Sequence, residues 1–164
     1  ILPAAVTAPG AFALVAPADA VEAEQPDLSL SWSASAGADS YAVKVSTNAD
    51  LSNPVYSTFT TSTSLAIPAG TLSFCGSYYW GVTAVNDAGQ TMSAPESRQF
   101  KVRQAYDLNA DGVVDDSDFV AFAACYEVFT VPPANPLCDV TGDFLVDDTD
   151  FVQFADQYEA FICP

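Results

Sequence analysis

Apolar and polar residues alternate along the first hundred residues, which is the period-two pattern of half-buried β-strands. Two segments show it most clearly, with their apolar side chains on one face: Leu28, Leu30 and Trp32 in the first, and Tyr41, Val43 and Val45 in the second. Turn-forming residues separate the segments that we predict as strands: Ala11–Val15, Leu28–Ser33, Ser40–Ser46, Val55–Thr60, Ser64–Ile67, Tyr78–Asn86 and Arg98–Val102. Short strands at this spacing favour an all-β sandwich over residues 9–103.

Beyond residue 103 the pattern changes to an internal repeat. Residues 107–129 recur as residues 139–161, so that Phe119, Phe122 and Tyr126 return as Phe151, Phe154 and Tyr158. In each copy the apolar residues follow three- and four-residue spacings, which predict one amphipathic helix. A single copy is too short to bury its own aromatic stripe, and we therefore expect the two copies to pack face to face. The sequence thus predicts a second, small α-helical domain over residues 104–164.

Each copy opens with a twelve-residue segment rich in oxygen-bearing side chains. Calcium loops of this length take ligands from positions 1, 3, 5, 9 and 12 and from the position-7 carbonyl, and they need glycine at position 6 for a sharp turn. The first copy offers Asp107, Asn109, Asp111, Asp115 and Asp118 with the carbonyl of Val113, and the second offers Asp139, Thr141, Asp143, Asp147 and Asp150 with the carbonyl of Leu145. We therefore predict two Ca²⁺ sites.

The second loop departs from the calcium pattern at two positions. Thr141 is a weaker ligand than Asn109, and Phe144 stands where the first loop has Gly112. A side chain held at positive φ costs about 1–2 kcal/mol, so we expect the second site to bind Ca²⁺ more weakly. In the first loop Asp115, or the Asp116-Ser117 pair, can cap the following helix, and the position-8 residues Val114 and Val146 are expected to pair.

The charge of the chain restricts its partners. Four basic residues face twenty-one acidic ones, giving a net charge of −17, and no basic residue follows Arg103. Such a surface repels phosphate backbones and anionic lipid headgroups, so we expect no nucleic acid and no membrane surface as partner. The sequence has no run of about 18 apolar residues, so we also predict no membrane span. Divalent cations would neutralise part of the excess charge.

Composition also argues against catalysis. The chain contains no histidine, which excludes His-based triads and mixed-ligand zinc sites. Most of the acidic residues outside the sandwich are candidate calcium ligands, so they are not available as a glycosidase pair. We therefore expect a protein that is not an enzyme.

Both halves resemble known modules. The first resembles fibronectin type III domains, through Trp32, Tyr41–Val43 and Tyr78–Asn86, with Tyr78 at the place of a tyrosine corner. The second, over residues 106–161, resembles the dockerin module, because each loop is followed by one helix, has no entering helix and ends in Asp. That resemblance implies calcium binding and a cohesin-like partner. Dockerins recognise cohesins through a Ser/Thr pair at positions 10 and 11, where this chain has Asp116-Ser117 and Asp148-Thr149.

The cysteines allow more than one pairing. Cys125, near the end of the first predicted helix, and Cys138, just before the second loop, are candidates for a disulfide that staples the module. Cys75 and Cys163 either pair with each other or stay free.

These features together predict a secreted or cell-surface protein. We expect a non-catalytic, calcium-binding module for extracellular protein–protein attachment, with the sandwich as a spacer. The alternative is a structural subunit that assembles with copies of itself into a fibre or surface layer. In that case the apolar segment Ile1–Ala8, predicted as an N-terminal extension, would be donated as a strand to the next subunit; otherwise this segment is a linker.

Overall fold

The computed structural model describes residues 6–23, 28–68, 70–73, 75–103, 106–109, 111, 113–126, 138–141 and 143–157. The chain divides into two compact units, Ile1–Val102 and Arg103–Pro164. Within the described residues, the first unit is built from strands and the second contains two helices. None of the helices in those ranges has both the length and the apolar character needed to cross a membrane.

The strands of the first unit form two sheets. Their bounds are β1 (Leu14–Ala16), β2 (Val21–Ala23), β3 (Ser29–Trp32), β4 (Ser40–Ser46), β5 (Tyr56–Thr60), β6 (Ser64–Ala66), β7 (Ser77–Asn86), β8 (Gly89–Met92) and β9 (Arg98–Val102). One sheet has the order β1-β3-β6 and the other has the order β2-β9-β7-β4-β5, with β8 paired to β7. Strand β2 runs parallel to β9, and the other pairs among the described residues are antiparallel.

Both sheets contribute to one hydrophobic core. The fully buried side chains include Leu30 from the smaller sheet and Val43, Val45, Trp80 and Phe100 from the larger one. The register of β4 against β7 places Val43 opposite Val82 and Val45 opposite Trp80. Alternate residues of β3, β4 and β9 thus enter the core, as the period-two pattern requires. The prediction of an all-β sandwich is confirmed for this unit.

Three differences from the predicted strands exceed one residue at a strand end. Strand β1 begins at Leu14, whereas the predicted strand began at Ala11. Strand β2 was not predicted, because its three residues are held by parallel pairing with β9 and carry no alternating pattern of their own. Strand β8 was also missed: the turn residues before it close a hairpin in which Asn86 pairs with Gly89, and the chain then continues along β7.

Tyr78 forms the predicted corner at the start of β7. Its hydroxyl oxygen accepts a hydrogen bond from the backbone N–H of Ser73 at 2.9 Å, which ties the strand to the preceding loop. The corner requires glycine at position 76, because a Cβ added there would lie 2.6 Å from the Tyr78 ring and 2.9 Å from the Ser73 carbonyl oxygen. The tyrosine-corner prediction is therefore confirmed.

The N-terminal segment is in contact with the sandwich where the description begins. The Asn86 side chain donates to the carbonyl oxygen of Thr7 at 2.8 Å, and the Thr91 hydroxyl donates to that of Pro9 at 2.6 Å. Residues 1–5 of the predicted extension Ile1–Ala8 lie outside the described residues. The end of that segment, which the sequence analysis left without a place in the sandwich, is thus held by the β7–β8 hairpin.

The second unit contains the two predicted helices, α1 (Asp116–Tyr126) and α2 (Asp148–Gln157). Phe122 and Phe154 are buried between them, with ring centroids 4.9 Å apart and nearly parallel planes. Val114 and Val146 both belong to this small core, as their shared loop position predicts. The expected aromatic stripe is not fully buried, however, because Phe119 and Phe151 remain 43% and 41% exposed.

Candidate metal centre

Each helix begins with a reciprocal pair of hydrogen bonds that fixes the end of the loop before it. At α1, the Asp115 carboxylate accepts from the Ser117 backbone N–H at 2.8 Å, while the Asp118 carboxylate accepts from the Asp115 N–H at 3.0 Å. At α2, Asp147 and Asp150 form the same arrangement, with distances of 2.8 Å from Thr149 and 2.9 Å between the pair. These are variants of the capping box, in which the cap side chain accepts from the second helical N–H and aspartate occupies the third helical position.

The pKa of both capping residues lies below the ordinary aspartate value. The Ser117 hydroxyl and then its backbone N–H donate to Asp115, and both bonds favour the charged form of the carboxyl group. The Thr149 hydroxyl and backbone N–H do the same for Asp147. The two loops therefore keep these carboxylates ionised.

In the first loop the structure brings three carboxylates together. One oxygen atom from each of Asp107, Asp111 and Asp118 lies within 4.8 Å of the others. Asp107 is 1% exposed and Asp118 is 0% exposed, whereas Asp111 reaches the surface. Asp118 is held in place by the backbone N–H groups of Leu108 and Asn109, which donate to one of its oxygens at 2.7 and 3.1 Å.

The other predicted ligands of this loop lie outside the three-carboxylate cluster, and two of them form hydrogen bonds with Asp111. The Asn109 side-chain oxygen accepts from the Asp111 N–H at 2.9 Å, and its amide nitrogen donates to the Asp111 carboxylate at 2.8 Å. The Val113 N–H donates to Asp111 at 2.9 Å, which turns the chain at the residue whose carbonyl was predicted as a ligand. Asp115 lies outside the three-carboxylate cluster, in agreement with a position that calcium loops often connect through water.

The second loop repeats the cluster with Asp139, Asp143 and Asp150, again with one oxygen from each within 4.8 Å of the others. Asp150 is fully buried, but Asp139 is only partly buried, in contrast to its counterpart Asp107. Phe144 has φ 71°, the positive value predicted for position 6, and its N–H donates to Asp139 at 2.8 Å. Leu145 repeats the place of Val113, because its N–H donates to Asp143 at 2.9 Å. Thr141 has its side-chain hydroxyl 3.4 Å from Asp139.

Two contacts join the end of α1 to the second loop. A disulfide links Cys125 to Cys138, the pair singled out from the sequence, with a Cα–Cα distance of 6.3 Å. The Tyr126 hydroxyl donates to the Asp148 carboxylate at the start of α2. This hydrogen bond was not anticipated from the sequence, although the repeat pairs Tyr126 with Tyr158 and Asp148 with Asp116. Cys75 is also disulfide-bonded, and Cys163 lies outside the described residues.

The electrostatics of the clusters call for a cation. The second unit contains thirteen acids and a single basic residue, the buried Arg103. Burying several carboxylates close together, with so little positive charge to offset them, is strongly unfavourable. The donor set consists of carboxylate, amide, hydroxyl and carbonyl oxygens, which are the ligands that Ca²⁺ prefers. The residues present therefore fit a calcium ion in each loop.

Comparison with known proteins gives similarity in fold only. No protein-family model matches the chain, and no curated protein matches it. Among solved structures, FN3tt is 19% identical over 58% of this chain and 91% of that one, with a TM-score of 0.42. An Fn3-like protein from Clostridium thermocellum is 24% identical over 61% and 97% of the two chains, with a TM-score of 0.35. An α-L-rhamnosidase from Dictyoglumus thermophilum is 15% identical over 63% and 13%, with a TM-score of 0.44.

Proposed function

We propose that the second unit binds two Ca²⁺ ions and serves as a dockerin-like module for attachment to another extracellular protein, with the β-sandwich as its spacer. One observation carries this proposal: each loop holds three carboxylate oxygens within 4.8 Å, and buries at least one of them, in a unit with thirteen acids and a single basic residue. A bound cation removes the repulsion that this arrangement creates. The protein acts by binding and not by catalysis, and the partner expected from the resemblance is a cohesin-like domain.

The two sites have unequal affinity in this proposal. Asp107 is nearly inaccessible to water, while Asp139 is partly exposed, and electrostatic attraction is weaker where water screens it. Thr141 supplies a neutral hydroxyl at position 3, and Phe144 holds a strained backbone at position 6. The first loop therefore fills before the second. An extracellular location is supported by the disulfides, which persist in oxidising compartments.

Isothermal titration of the chelator-treated chain with CaCl₂ tests the metal sites. We expect two ions per chain, and one ion after either Asp107→Asn or Asp139→Asn, with the weaker site lost in the second variant. Asp87→Asn, an exposed turn residue of the sandwich, is the matched control for a lost charge and should still bind two ions. Absence of calcium binding by the folded wild-type chain would contradict the proposal.

Light scattering of the same samples separates attachment from self-assembly. An attachment module stays monomeric with and without calcium, and it then binds an immobilised cohesin domain only in the presence of calcium. Large particles that form on addition of calcium would instead support the fibre or surface-layer subunit. A calcium-loaded monomer that binds no cohesin tested would retain the metal sites and contradict the cohesin-like partner.

A further inference from the structure

A groove with a volume of about 350 Å³ lies between the two helices of the second unit. Its lining is mainly aromatic and consists of Phe119, Phe122, Ala123, Tyr126, Asp148 and Phe151. Neighbouring ring centroids are 6.3 Å apart for Phe119 and Phe151, 6.2 Å for Phe122 and Phe151, and 6.4 Å for Phe122 and Tyr126. A group seated on this surface can therefore contact more than one ring.

The rings at the mouth of the groove are accessible to solvent. Phe119 and Phe151 expose about two fifths of their surface, and the adjacent Val120 and Val152 are more exposed still. The rings of Phe119 on α1 and Phe151 on α2 are in edge contact, so the apolar surface continues from one helix to the other. Exposed apolar groups that form a contiguous patch mark interaction sites more often than isolated ones do.

The charge around this surface selects a cation. The face of an aromatic ring carries partial negative charge and attracts ammonium and guanidinium groups within about 6 Å of its centroid. Asp148 adds a full negative charge at the groove, and the hydroxyl of Tyr126 orients it by donating to one carboxylate oxygen. No Lys or Arg occurs in residues 104–164, and Arg103, the one basic residue of the second unit, is buried and does not line the groove.

We propose that the groove binds a Lys or Arg side chain presented by the partner protein. The inference rests on the attachment function proposed above and names the chemistry of the surface that is attached. A second copy of this chain is a poor occupant, because a net charge of −17 on each copy makes their approach unfavourable. The partner is therefore a protein with a basic, partly apolar surface, which is complementary to the groove in charge as well as in polarity.

Short peptides test the groove in the intact, calcium-treated chain. Three acetylated and amidated peptides, Gly-Gly-X-Gly-Gly with X as arginine, lysine or norleucine, are titrated at 0.3 M salt, and NMR follows the ring protons of the groove. Norleucine keeps the aliphatic stem and removes the charge. Tetramethylammonium chloride serves as a small-molecule cation. The variants are Phe151→Leu and Asp148→Asn, and Asp156→Asn on α2 is the control with the same change in charge outside the groove.

We expect the arginine and lysine peptides to shift the groove resonances and the norleucine peptide to leave them unchanged. Phe151→Leu should weaken binding about 2- to 30-fold, and Asp148→Asn about 1.5- to 5-fold, with no change for Asp156→Asn. Equal binding of norleucine, binding of tetramethylammonium alone, or equal losses in both aspartate variants would each overturn the inference. A chain that binds calcium but not the peptides contradicts this inference alone, whereas one that binds the cationic peptides without binding calcium contradicts the proposed metal sites alone.

Discussion

Replacement of Asp118 by asparagine separates the two roles of this residue, which are to hold the loop and to attract the cation. The carboxylate accepts hydrogen bonds from Leu108 and Asn109 on one oxygen and from Asp115 on the other. Asparagine keeps one acceptor oxygen, which can retain the first two bonds, but its amide nitrogen cannot accept the third. The substitution therefore weakens the helix cap and removes one buried negative charge.

The balance of these effects can be worked out from the distances. Two charges 4.8 Å apart interact by about 3.5 kcal/mol at an effective dielectric constant of about 20 and by about 0.9 kcal/mol in water. One oxygen of buried Asp107 and one of buried Asp118 lie within that distance, so without a cation the repulsion of the pair is about the larger value. Loss of the capping bond costs about 0.5–2 kcal/mol. The calcium-free variant should therefore be more stable than the calcium-free wild type, by about 1–3 kcal/mol.

Calcium reverses the order of stability of wild type and Asp118→Asn. A ligand present at about a thousand times its dissociation constant stabilises the folded state by about 4 kcal/mol per site, and Asp118→Asn forfeits this gain at the first loop. Wild type should therefore be the more stable protein in calcium. Asp156→Asn, which changes an exposed residue of α2 outside the cluster, should behave as wild type in both conditions.

Urea unfolding in 5 mM EDTA and in 5 mM CaCl₂ measures the reversal. Far-UV circular dichroism at 222 nm follows the helices, which within the described residues belong only to the second unit. Both tryptophans of the chain, Trp32 and Trp80, lie in the sandwich, so their fluorescence follows the first unit separately. If Asp118→Asn is the less stable protein in EDTA, or gains as much from calcium as wild type, the electrostatic account of the cluster is refuted.

Three further substitutions test individual contacts. In the sandwich, Gly81→Ala should lower the free energy of unfolding by several kcal/mol, because the added Cβ would lie 2.3 Å from the Glu96 carbonyl oxygen. Urea titration measures this loss, and unchanged stability would contradict the packing around Gly81. The Asp148 carboxylate raises the pKa of Tyr126 through a hydrogen bond to its neutral form, so this stabilisation is present below about pH 10 and is lost as pH rises through the higher folded-state pKa. Tyr126→Phe should accordingly reduce the free energy of unfolding at pH 7 and make it fall less steeply as the pH rises above about 10. If the variant and wild type show the same dependence of stability on pH, the hydrogen bond is refuted. Phe144 is 66% exposed and has φ 71°. The Phe144→Gly variant should therefore be more stable than Phe144→Ala by about 1 kcal/mol in calcium, and equal stabilities of the two variants would contradict backbone strain at this position.

Much of the sandwich follows from local pattern. Strands β4 and β9 have the bounds predicted from the sequence, because each alternates buried and less buried residues beside the long strand β7. Strand β2 could not be found in this way, since three residues are too few to show a period and their pairing partner is nearly eighty residues away. Strand β8 follows directly on turn residues, and only its pairing with β7 shows where the turn ends. Local sequence therefore specified the central strands better than those that depend on distant pairing.

The loops were predictable for a different reason. Their ligand positions are set by a fixed spacing, and the structure gathers the carboxylates of positions 1, 5 and 12 in both copies. The spacing could not show which aromatic residues the helices bury. A three- and four-residue period covers a stripe wide enough to include both Phe119 and Phe122, whereas the contact between α1 and α2 fully buries only Phe122 with its counterpart Phe154. The exposed part of that stripe forms the groove.

The two loops also differ in how the rest of the chain holds them. The second loop has the partly exposed Asp139 and the strained Phe144, so it is the less favourable of the two by its own sequence. It is also the loop that α1 holds near both ends, through the disulfide to Cys138 just before the loop and through Tyr126, which donates to Asp148 close to the end of the loop. Anchoring both ends of a segment reduces the conformational freedom that it loses when it closes around an ion. The disulfide and the Tyr126 hydrogen bond therefore restrain the loop whose own residues are less suited to binding calcium. These restraints explain how the second copy can depart from the calcium pattern and still keep its carboxylates together.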